Sequence, residues 1–114
     1  MAGFTRFIAA DVSSRLPLAL IACGVVTGFG AAVNRARVQP GSSVLVIGVG
    51  GVGSWAVEAL ARTAIGKITM IDLDHLAESN VNRQIHALTD TLGMAKVGAL
   101  RERIAQINPY CEVT

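Results

Sequence analysis

The residues of this chain that could do chemistry lie between Gly48 and Lys96. Gly48-Val49-Gly50-Gly51-Val52-Gly53 carries the G-x-G-x-x-G pattern. In such a loop the first glycine permits a tight turn, the second lets phosphate approach the backbone, and the last lets helix and strand pack closely. Gly51 belongs to the same loop. Asp72 follows about 20 residues later, where a carboxylate can accept hydrogen bonds from ribose hydroxyls. An aspartate at a strand end also serves as a cap or turn former, so its reading as a ligand rests on the loop beside it. These features suit NAD and ATP equally. The next stretch separates them: Asn80-Val81-Asn82-Arg83-Gln84 is a polar arm, and Lys96 opens a further helix. A pyrophosphate can be held by backbone amides, whereas a triphosphate attacked at its α-phosphorus benefits from cations on its developing charge. Arg83 offers a planar fork and Lys96 a mobile point charge. Both are the catalytic candidates, and they favour ATP, with NAD as the alternative.

The elements that must position these groups read clearly. Val38 to Ser43, with Pro40 and Gly41, is a turn. Val44 to Ile47 is an apolar, β-branched run suited to a buried parallel strand, and it enters the glycine loop directly. Ser54 to Thr63 favours helix, Ile65-Gly66 ends it, and Lys67 to Ile71 is a second strand closing on Asp72. Val97, Leu100, Ile104 and Ile107 follow helical spacing up to Asn108-Pro109. A third strand starts around Cys111 to Thr114. The fold class is therefore α/β: a partial Rossmann-type parallel sheet, strand order 3-2-1, with helices on both faces. Its open outer edge invites pairing with another chain, which suggests a homodimer.

Composition bounds the remaining options. The chain has 114 residues, 52% of them hydrophobic and 16% charged, with a formal charge of +2. This excludes a disordered tail and gives one domain-sized unit. No Lys/Arg block points to nucleic acid through bulk electrostatics. Cys23 and Cys111 fit no metal or redox spacing, so no metal site is read and reduced thiols in a cytoplasmic protein are expected. Leu16 to Asn34 is uncharged and about long enough to span a bilayer. It carries Pro17, Gly24, Gly28 and Gly30 and has positive residues on both flanks, so a buried helix is preferred to a membrane span. His75, His86 and Cys111 are read as structural, since no partner acid or nucleophile adjoins them in sequence.

From Val44 onward the glycine loop, Asp72-Leu73-Asp74, Asn80-x-x-Arg83-Gln84 and Lys96 resemble the ThiF/MoeB-type adenylating family, relatives of ubiquitin-activating enzymes. Asn80 to Leu88 and Gln106-Ile107-Asn108-Pro109 most resemble the tRNA threonylcarbamoyladenosine dehydratases of that family. The resemblance implies that ATP is used to cyclise a modified adenosine in tRNA. Asp72 would bind the ribose, and Asn80, Arg83, Gln84 and Lys96 would surround the phosphates. The family's acidic residue for Mg²⁺ and its acceptor-binding parts are expected outside this chain, making it incomplete for catalysis. Residues 1–43 instead resemble the entry to the cofactor domain of medium-chain, zinc-type alcohol dehydrogenases, through Ala22 to Val33 and Val38 to Ser42. This implies two units, 1–43 and 44–114, joined as a chimera.

Overall fold

The computed structural model describes residues 4–8, 27, 28, 30 and 38–114. Four parallel strands form one sheet in the order β1 (Phe4–Ile8), β2 (Ser43–Ile47), β3 (Lys67–Ile71) and β4 (Glu112–Val113). Two helices connect the last three: α1 (Gly53–Arg62) between β2 and β3, and α2 (Lys96–Ile107) between β3 and β4. Short 3₁₀ turns at Glu78–Asn80 and Thr89–Thr91 punctuate the long arm between β3 and α2.

The three strands foreseen from the sequence occupy their expected order. Ser43 is in register with Lys67 and Ile47 with Ile71, while Lys67 also pairs with Glu112. The sheet has a further strand, because Phe4–Ile8 lies parallel to β2 with Phe4 opposite Ser43 and Ile8 opposite Ile47. Phe4-Thr5-Arg6-Phe7-Ile8 is rich in aromatic and β-branched residues, the types that suit a strand. It is too short to stand out by periodicity alone. The edge of β2 is therefore paired.

Alternation along the strands decides where the helices sit. Val44 and Val46 of β2 and Ile68 and Met70 of β3 are buried and pack in one cluster with Val57, Leu60 and Ala61 of α1 and Leu100 and Ile104 of α2. Successive side chains of a strand point to opposite faces, so both helices lie on the face that these residues share. Right-handed crossovers that keep moving in one direction across a parallel sheet must place their helices together. On the opposite face Leu45 and Thr69 are half-buried, and Ile47 and Ile71 are 38% and 50% exposed. The apolar helix expected over Leu16 to Asn34 lies outside the described residues apart from helical positions 27, 28 and 30. A Cβ at Gly28 would stand 2.6 Å from the Val52 carbonyl oxygen and 2.8 Å from the Ala56 nitrogen, so this position lies directly on the first turn of α1.

Two polar devices lock the helical layer. Glu58 of α1 is buried, and its carboxylate accepts from Arg103 Nε of α2 at 2.6 Å and from Arg62 Nε at 2.9 Å. Burial pushes the Glu58 carboxyl up, but hydrogen bonds and charge from Arg103 and Arg62 outweigh it and hold the group below its ordinary value. At the carboxyl end of α2, the Asn108 backbone amide donates to the Ile104 carbonyl at 2.7 Å and its side-chain amide donates to the Ile65 carbonyl at 3.1 Å. Asn108 thus both ends α2 and pins it to the α1–β3 connection. No helix among the described residues is long and apolar enough to cross a membrane.

Arg103→Leu leaves the buried Glu58 carboxylate with Arg62 alone and removes two of its hydrogen bonds, so it should lower unfolding stability in urea by roughly 1–3 kcal/mol. Lys67→Leu removes only the exposed pair with Glu112 and should cost under about 1 kcal/mol. Equal effects of the two substitutions would contradict this ranking.

Candidate functional site

The site gathers at the carboxyl ends of β2 and β3, the edge of a parallel sheet where ligands ordinarily enter. Gly48 leaves β2 at φ +80°, a left-handed conformation that glycine adopts without strain. Its amide still donates to the Ile71 carbonyl at 2.9 Å, so the turn begins in register with β3. The chain then passes through Gly50 and Gly51, both buried, into α1. Val52 at the start of α1 makes no side-chain cap, and no acidic residue occupies the first turn. The first amides of a helix have no intrahelical acceptor, and the helix dipole adds partial positive charge there. Residues 50–53 therefore present an end of α1 suited to an anion.

Asp72 follows β3 and binds this loop. Its Oδ2 accepts from the Val49 amide at 2.8 Å and its Oδ1 from the Asp74 amide at 2.8 Å. The carboxylate is half-buried, and each oxygen keeps a second lone pair for another donor. The sequence predicts a ribose ligand at this position. The turn-forming role is present in the fold, and the position at the loop leaves the ligand role open.

From Asp74 the arm pairs with the approach to α2. Lys96 N donates to the Asp74 carbonyl at 3.0 Å and Leu76 N to the Met94 carbonyl at 2.8 Å, around an antiparallel bridge between His75 and Ala95. Lys96 is thereby fixed as the first residue of α2. Its side chain is 5% exposed, and its ammonium contacts Asp74 Oδ2 at 3.2 Å.

Arg83 lies against the glycine loop. A Cβ at Gly51 would meet Arg83 Cδ at 3.5 Å and Cγ at 3.6 Å, so the arginine stem lies against the glycine loop. Its Nη1 donates to the Ser79 carbonyl at 2.9 Å and to Asn82 Oδ1 at 3.0 Å. Trp55 of α1 donates from Nε1 to the Arg83 carbonyl at 2.9 Å. Asn80 is buried, and its Oδ1 accepts from the Ala77 amide at 2.9 Å, closing the 3₁₀ turn that precedes Arg83. Gln84 is buried with its Oε1 unpartnered among the described residues. Asp72 thus ties the glycine loop to the end of β3, Arg83 lies against Gly51, Lys96 is held to the arm through Asp74, and Asn80 and Gln84 are buried in the arm on either side of Arg83 in sequence.

Three groups escaped sequence reasoning. Trp55 gave no motif signal, since its contact with Arg83 spans 28 positions. Ser54 is wholly buried with an unpartnered Oγ. His86, read only as structural, is 2% exposed with both ring nitrogens unpartnered among the described residues. Burial, and then the positive charge of Lys96, push its pKa down to about 4, with Arg103 adding to this and Asp72 opposing it. Cys111 stays a thiol, because burial pushes its pKa up, which suits a packing role. No group of three His, Cys, Asp or Glu that could hold a metal ion occurs among the described residues.

Similarity to known proteins follows this arrangement. The sequence pattern of the ThiF family matches residues 35–114. Over 71 residues the chain is 62% identical to the tRNA threonylcarbamoyladenosine dehydratase of Escherichia coli (strain K12), covering 62% of this chain and 26% of that protein. The enzyme of the same name from Bacillus subtilis (strain 168) is 57% identical over 72 residues, covering 63% of this chain and 28% of that one. The E. coli enzyme solved in complex with ATP superposes with a TM-score of 0.63 at 50% identity, covering 76% of this chain and 33% of that chain. The chain therefore spans between a quarter and a third of the length of these relatives. The likeness of residues 1–43 to alcohol dehydrogenases is not borne out by these comparisons.

Buried His86 gives the fold a pH signature. Its folded pKa lies below the unfolded value of 6.5, so its contribution is complete above pH 6.5 and is lost as pH falls toward 4. Moving from pH 7 to pH 5 should cost roughly 2 kcal/mol of stability, measured as a shift in the urea midpoint. His86→Leu should flatten that dependence; an unchanged slope in the variant would contradict the assignment.

Proposed function

Because this chain belongs to the ThiF family, we propose that residues 44–114 are the ATP-binding portion of an adenylating enzyme of the tRNA threonylcarbamoyladenosine dehydratase type. The observation that carries this reading is the side chain of Arg83 lying against Gly51 beside an α1 start that has neither a side-chain cap nor a first-turn acid. An anion seated there would meet backbone donors on one side and a guanidinium on the other. Solution of the E. coli relative with ATP supports the same choice of nucleotide.

The residues fit a triphosphate in distinct ways. Gly48 makes the turn, and amides at Gly50, Gly51 and Gly53 donate to phosphate oxygens. Asp72 accepts from ribose hydroxyls through its remaining lone pairs. Arg83 and Lys96 place positive charge where charge develops during attack at the α-phosphorus. Asn80 and Gln84 shape the wall from which Arg83 projects. When bound, ATP supplies the adenylyl group and a pyrophosphate leaving group. Mg²⁺ would accompany the nucleotide, lending positive charge to the phosphates. tRNA as acceptor is proposed from family kinship, a homodimer from the open outer edge of the sheet, and a cytoplasmic location from cysteines that fit no disulfide or metal spacing.

Calorimetry with ATP and NAD side by side tests the reading. ATP should bind more tightly, and Arg83→Ala and Lys96→Ala should each weaken it by about tenfold or more, since a hydrogen bond to a charged group contributes about 1.5–3 kcal/mol. Tighter binding of NAD, or indifference to Arg83→Ala, would overturn it.

A further inference from the structure

Arg83 sits on a long arm, and an arginine used for recognition needs a defined position, because ordering a mobile side chain on binding reduces affinity. Its backbone amide donates to the Asn80 carbonyl at 3.2 Å, in the turn that follows the 3₁₀ segment. Its carbonyl is held by Trp55 Nε1 at 2.9 Å, and its stem rests at Gly51. Trp55 lies on the first turn of α1, three residues beyond Val52, so this one bond ties the arm to the helix whose amides face the same region. It is also a contact over 28 positions that joins these two elements through a donor having no acceptor capacity of its own.

We propose that Trp55 is a positioning residue: its indole N–H fixes the backbone of Arg83 so that the guanidinium is delivered to the phosphate bound at the start of α1. This rests on the ATP reading above. Trp55 itself touches no phosphate. Its effect on binding passes wholly through the Arg83 side chain, and this separates it from a residue that merely stabilises α1.

A double-substitution cycle on the full chain tests the role, with ATP affinity read by calorimetry. Trp55→Phe keeps the aromatic ring but deletes the donor, and should weaken ATP roughly fivefold, the scale of one neutral hydrogen bond. In an Arg83→Ala background the same change should have no further effect on ATP affinity, because no guanidinium is left to position. Adenosine, which lacks phosphate, should bind wild type and Trp55→Phe equally. Fivefold losses that simply add in the double variant, an equal loss for adenosine, or no loss in Trp55→Phe would each overturn the positioning role while leaving the ATP reading intact. Failure of the unaltered chain to bind ATP would overturn both.

Discussion

One carboxylate joins the two loops on which the site depends. Asp72 takes the Val49 amide on one oxygen and the Asp74 amide on the other, at 2.8 Å each. The first bond sets the glycine loop leaving β2 against the end of β3. The second turns the chain into the arm that carries Asp74, whose carbonyl and carboxylate both engage Lys96. Loop, arm and the start of α2 therefore share a single reference point. Carboxylate acceptors of backbone N–H groups form strong hydrogen bonds, so this point is stiff without further support.

The scaffold beneath that point is a parallel sheet with α1 and α2 on one face. One face holds the described core, with Val46, Ile68, Leu60 and Leu100 essentially excluded from solvent. Glu58, Arg62 and Arg103 clamp the helices over it. Such a clamp contributes orientation more than net stability, since desolvating charges offsets much of their attraction. The consequence for the site is geometric: α1 cannot rotate relative to α2 without breaking the carboxylate's contacts, so the start of α1 and Lys96 keep their relation.

Much of this was legible in the sequence for definite reasons. Val44-Leu45-Val46-Ile47 and Lys67 to Ile71 showed as strands because buried parallel strands are short apolar runs bounded by turn residues. Gly48 announced a backbone that other residues resist, and its φ of +80° agrees. Leu100 and Ile104 revealed the inward stripe of α2. Illegible features depend on distance along the chain. No local pattern links Phe4–Ile8 with β2, Trp55 with Arg83, or Glu58 with Arg103. The face chosen by the helices follows from the order of crossovers, which periodicity does not encode. Asp72 was seen as a ligand candidate, but its bond to the Val49 amide could not be, since a carboxylate serves backbone and ribose donors with the same lone pairs.

The central physical claim is that amides at the exit of β2 and the start of α1 receive phosphate. Backbone amide NMR of the labelled chain, titrated with ATP and separately with adenosine, addresses it most directly. The account requires large shifts at Gly50, Gly51 and Gly53 with ATP that adenosine does not reproduce. Shifts that leave these three amides unmoved, or that are identical for the two compounds, would contradict it.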